Sequence, residues 1–109
     1  MKRIVVLWGF YMSLKEAQES VKNISYETHK AKAYTSAFFL TLIAEQVGQI
    51  AEKYLNEGRL AKGIEVDITD VVLVCLAYLN WLGKDATEAF RKSLAKHEKA
   101  IELFKKQTK

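Results

Sequence analysis

A chain of 109 residues, half of them hydrophobic and 28% charged, is the size of one domain with a real core, and its composition excludes a disordered chain. It has no proline and only five glycines, so little interrupts long helices. The net charge of +4 is unevenly placed: from Lys84 onward eight basic residues stand against four acidic ones, and the rest balances nine against nine.

The first twelve residues, MKRIVVLWGFYM, set two basic residues before an apolar run. That run is short, carries Trp8 and Tyr11 and reaches no small-residue cleavage site, which argues against a signal peptide. IVVLWGF would suit a strand but finds no partner strand, so 1–12 is read as an N-terminal arm or short helical turn. Residues 13–109 form one helical domain. No apolar run approaches the roughly 18 to 20 residues that span a bilayer.

SLKEAQESVKNISYETHK opens with Ser13 and has Glu16 three residues on, a capping-box pattern. Leu14, Ala17, Val21, Ile24 and Thr28 then form one apolar stripe at helical spacing. A second helix is predicted from Ala33 to Asn56, closed at Glu57 by Gly58 in a left-handed conformation. A third, Val66 to Leu82, is apolar almost all round from Val71 to Leu79. That pattern places it at the centre of a bundle or at a subunit interface. Gly83 ends it. Asp85 caps a fourth helix with Glu88 at the capping-box position, and Ala89, Phe90, Leu94, Ile101 and Phe104 supply its inner face. The fold class is therefore all-α, an up-and-down bundle of about four helices completed by oligomerisation, as a homodimer or larger. Cys75 stands alone inside VVLVCLAYL as a small buried apolar residue. Nothing requires an oxidising compartment, and a cytoplasmic setting fits.

Two polar pairs carry the chemistry. Gln46 and Gln49 are three apart on the second helix, flanked by Glu45 and Glu52; Asp67 and Asp70 repeat the spacing on the third. Residues three apart share a helix face. Acidic residues so spaced can converge two oxygen ligands on a hard cation such as Mg²⁺. His29 and His97 lack metal-ligand spacing. Tyr78 and Trp81 could stack on a base or serve as core aromatics. The basic last helix could meet phosphates, or be a solvated helix whose lysines complement its macrodipole. No zinc-ligand, recognition-helix or basic–aromatic pattern supports nucleic-acid binding, and no Gly-rich phosphate loop, Ser-His-Asp set or Cys-His pair suggests another enzyme class.

The order AEQVGQIAE, a short spacer, then DITDVVLVCLAYLNWLGKDATEAFRKSLAKHEKA resembles the MazG-like, all-α nucleoside triphosphate pyrophosphohydrolases over about Ser13 to Lys99. Their pattern is EExxE, a spacer, ExxD, then a glycine and a helix with Lys-x-x-x-Asn. The resemblance implies a Mg²⁺ (or Mn²⁺) site and hydrolysis of a nucleoside triphosphate to monophosphate and pyrophosphate. Carried over, the site is Glu45, Gln46, Gln49, Asp67 and Asp70. Metal ligands fall on Asp67 and Asp70 with Glu45 and Glu52 as auxiliary carboxylates, and substrate contacts on Ser93, Lys96 and His97. The chain departs from the pattern at Gln46 and Gln49, where the family has glutamates, at Asp67, a shorter carboxylate, and at Ser93 and His97, where it has lysine and asparagine. An amide can still coordinate a cation but brings no charge, which weakens metal binding and hydroxide formation. It also relieves repulsion among clustered carboxylates. The alternatives are therefore a Mg²⁺-dependent hydrolase, a catalytically inactive nucleotide-sensing or protein-interaction module of the same fold, and a helical bundle with no nucleotide link.

Overall fold

The computed structural model describes residues 12–24 and 34–107. Except for Met12, the N-terminal arm falls outside the described residues, as do Thr28 and His29. The rest is all-helical: α1 (Leu14–Val21), α2 (Ser36–Glu57), α3 (Ile64–Leu82) and α4 (Ala86–Gln107), with no strand among the described residues.

Local chemistry sets the ends. Ser13 accepts from the Glu16 N–H while Glu16 accepts from the Ser13 N–H, a complete capping box. α1 stops at Val21, short of the expected Lys30, because Lys22, Asn23 and Ile24 donate back three residues rather than four and tighten the chain into a turn. Ile24 leaves the inner stripe and is exposed. Thr35 caps α2 through Phe38 N–H at 3.0 Å, three residues later than the predicted start. Gly58 takes φ 84° but ψ −179°. It is therefore not the left-handed cap expected: the chain leaves in an extended, glycine-only conformation toward the connection. α3 begins at Ile64, two residues early, after Gly63 at φ 76°. It ends in a Schellman motif, in which Lys84 N–H donates to Leu79 and Gly83 N–H to Asn80.

α2 and α3 form an antiparallel hairpin, since Phe39 near the start of α2 stacks on Tyr78 near the end of α3, at 5.0 Å between centroids. Phe39 and Val74 are the largest fully buried side chains, joined in one cluster by Val21, Leu76, Ala77 and Ala86. Trp81, Tyr34 and Phe38 add rings around Phe39. The aromatic pair Tyr78 and Trp81 thus belongs to this cluster. α1 packs on α3 and is fastened at its far end by Gln18, which is 6% exposed. The Gln18 amide donates to Lys84 O at 2.7 Å and accepts from Ala86 N–H at 2.8 Å. Asn80 donates to the Gln18 carbonyl at 2.9 Å.

One expectation is corrected here. The axis turns by 113° between α3 and α4, so α4 does not fold back along the bundle. Its intended inner face is open: of its apolar residues only Ala86 is buried, while Phe90, Leu94, Ile101 and Phe104 are half or more exposed. A helix that continues through a Schellman corner capped by Asp85, whose Oδ2 accepts from Glu88 N–H at 2.9 Å, takes its direction from the corner rather than from its own stripe. The Glu88 side chain pairs with Arg91. α3, apolar all round, is covered by α2 and α1 on two sides only. Val66, Ile68, Val72 and Leu82 remain exposed. No single described helix is long and apolar enough to cross a membrane.

Gln18→Leu keeps the volume of the side chain but strands the buried Ala86 N–H. Chemical denaturation is expected to show a loss of about 2 kcal/mol, with Asp85→Ala costing about 1 kcal/mol through its cap.

Candidate polar pocket between α2 and α3

At the connection end of the hairpin, α2 and α3 enclose a small pocket of about 150 Å³ lined by Gln46, Gln49, Ile50, Lys53, Asp67 and Asp70. Gln46, Gln49 and Lys53 recur at three- and four-residue spacing, so one face of α2 carries all three. Asp67 and Asp70 do the same from α3. The four positions Gln46, Gln49, Asp67 and Asp70 therefore meet in one place. Glu45 and Glu52 do not line the pocket; both are exposed. Ser93, Lys96 and His97 lie on the exposed part of α4, and none of them lines it. His97 Nδ1 instead bonds the Ser93 carbonyl at 2.8 Å, so that nitrogen carries the proton and donates.

The decisive member is Lys53, a cation on the same face of α2 as Gln46 and Gln49. Its Nζ lies 2.8 Å from Asp67 Oδ2, with both side chains only partly exposed. The hydrogen bond to Asp67 is the main reason its pKa lies above the ordinary 10.5; partial burial opposes this, and the charges of Asp67, Glu57 and Glu65 add to it. The ammonium is therefore firmly charged at neutral pH. Its signal in the sequence is position: it is seven residues after Gln46 and four after Gln49, hence on their face.

The residues do not fit a divalent metal. Such an ion wants several carboxylate oxygens and water. Here one of two carboxylates is held by an internal cation, the α2 positions offer neutral amides, and no group of three or more metal-binding side chains occurs among the described residues. Gln46 Oε1 is enclosed without a hydrogen-bond partner. An enclosed acceptor left in that state costs about 1–3 kcal/mol. What the arrangement can do is bind its own ammonium and present one open carboxylate, Asp70. Cys75, further along α3, has its thiol pushed up by burial and is not poised as a nucleophile.

No family model, curated protein or solved structure matches the chain.

Because the folded-state pKa of Lys53 lies above 10.5, the pair's contribution to stability is complete at neutral pH and is withdrawn as pH rises past that value. Lys53→Met is expected to flatten this alkaline limb of the stability profile, measured by thermal melts between neutral and strongly alkaline pH.

Proposed function

We propose that this chain is a MazG-like helical module that does not hydrolyse nucleoside triphosphates and serves instead as a non-catalytic interaction module. The reading rests on one observation, the Lys53 ammonium 2.8 Å from Asp67 inside the pocket where Gln46, Gln49, Asp67 and Asp70 meet. A triphosphate-cleaving site of this family type depends on a carboxylate cluster that concentrates divalent cations. This pocket supplies its own monovalent cation and halves the anionic charge facing it. An ammonium cannot take up water as a ligand, lower its pKa and deliver hydroxide. The hairpin gains in exchange a pocket that folds without any bound ion, since the lysine offsets the Asp67 charge.

The second reading is an active Mg²⁺- or Mn²⁺-dependent nucleotide pyrophosphohydrolase. It is favoured by the convergence of the four family positions in a single pocket, and would require Lys53 to release Asp67 before that carboxylate and Asp70 could hold a cation.

Incubation with a panel of canonical and damaged nucleoside triphosphates plus Mg²⁺ or Mn²⁺ is expected to release no pyrophosphate. Calorimetry is expected to show no divalent binding by the natural chain. Release that disappears in Asp70→Asn would overturn the proposal in favour of the hydrolase. The triple change Gln46→Glu, Gln49→Glu and Lys53→Gln is expected to create Mn²⁺ binding, seen as heat in calorimetry and as a metal-dependent rise in melting temperature. If it folds and binds nothing, the pocket is unrelated to a metal site.

A further inference from the structure

We infer that the pocket between α2 and α3 receives one guanidinium group, with the Asp70 carboxylate as its anionic partner and Gln46 Oε1 as a further acceptor. The inference rests on the reading of the pocket as a metal-free site and names what that site takes instead. Its starting point is an acceptor with nothing to accept. Gln46 Oε1 is enclosed and has no hydrogen-bond partner, a penalty that an entering N–H donor relieves.

Charge and size narrow the ligand further. Asp67 and Asp70 bring two negative charges to the lining and Lys53 one positive charge, which leaves one negative charge in excess. Lys53 engages Asp67 through Oδ2, while the Asp70 carboxylate has no side-chain partner among the described residues. An anion is therefore repelled, and a single positive charge balances the site. The volume of about 150 Å³ is about the share of five waters in the liquid. That is room for a head group of a few heavy atoms and too little for a nucleoside. The ligand is a small monocation rich in N–H donors.

Two such groups are common, and the lining chooses between them. A primary ammonium is a compact, strongly hydrated point charge, whereas a guanidinium is planar, weakly hydrated and carries its donors in a fork that pairs with a carboxylate through two bonds. The open acceptors sit on different helices, Asp70 on α3 and Gln46 on α2, so donors that diverge within a plane reach both. Ile50 adds an apolar wall to the pocket, which suits the poorly hydrated face of the group. Its delocalised charge also tolerates the Lys53 ammonium, already tied to Asp67 at 2.8 Å, better than a second ammonium would. A guanidinium arrives either on a small free molecule or on an arginine side chain of another protein, and the two share this chemistry.

The test is calorimetry of the full chain, at constant ionic strength, with methylguanidinium and with short capped peptides that differ only in one arginine, lysine or citrulline. Methylguanidinium and the arginine peptide are expected to bind. The lysine peptide is expected to bind at least ~10-fold more weakly, and the citrulline peptide, which keeps the shape without the charge, not at all. Both sources support the inference: equal affinities point to a small molecule, and a tighter peptide points to a protein's arginine. Asp70→Asn is expected to weaken binding at least ~10-fold. Lys53→Met is expected to tighten it, because it frees Asp67 and removes a like charge. Gln46→Leu is expected to weaken binding without lowering the melting temperature, since the lost acceptor has no partner in the free chain. A merely structural glutamine would not separate the two readouts. No guanidinium binding, equal binding of all three peptides, or indifference to Asp70→Asn would overturn this inference alone, provided divalent ions also fail to bind. Mg²⁺ or Mn²⁺ that binds the chain and displaces methylguanidinium would overturn both the inference and the metal-free reading beneath it.

Discussion

The Gln18 amide is the point on which the arrangement of the described helices turns. It is the one buried polar side chain among the described residues, and it spends both its donor and its acceptor on the corner between α3 and α4. With Asn80 returning a bond to the Gln18 carbonyl, α1 is tied to the end of α3 and the first turn of α4 at once. The position of α1 and the direction of α4 are thereby set together. A leucine there would satisfy the apolar stripe of α1 but abandon a backbone N–H that water cannot reach.

Around that anchor the hairpin divides its labour by position along its length. The end near the α3–α4 corner is aromatic and dry, with Phe39 stacked on Tyr78. The end near the α2–α3 connection is polar, where Lys53 meets Asp67. An ion pair of this kind, partly open to solvent, adds little net stability. Its consequence is electrostatic: two aspartates on one face of α3 are left with one uncompensated charge instead of two. The same neutralisation weakens the negative field that the two aspartates would otherwise present together.

Much of this was legible beforehand. Capping residues Ser13 and Asp85, the stop at Gly83 and the placing of Gln46 with Gln49, and of Asp67 with Asp70, on one helix face each follow from spacing. The meeting of the two faces was implied only by the family resemblance, because spacing within a helix does not say which neighbour it faces. Periodicity is silent about what covers a face. The stripe of Phe90, Leu94, Ile101 and Phe104 reads as an inner face in sequence and stands open in the chain, because the Schellman corner aims the helix elsewhere. Lys53 was missed because attention to acidic ligands ignores a cation on the same face, although its register with Gln49 was visible. Gln18, polar within the stripe of Leu14, Ala17 and Val21, was the sole hint of the anchor, and its partners lie too far along the chain to be found by local pattern.

That distance has a kinetic side. Lys53 and Asp67 are 14 residues apart, whereas the bonds of Gln18 and Asn80 span 62 to 68 residues. Closing the short loop costs little chain entropy, and closing the long one costs more before any bond repays it. The hairpin is thus able to form as an early unit, with α1 docking after it. In the interval, the surfaces that α1 will cover stand open beside the bare hairpin face. The chain's exposure to misassembly is concentrated in that interval, and it is shortened by whatever speeds the arrival of a single glutamine.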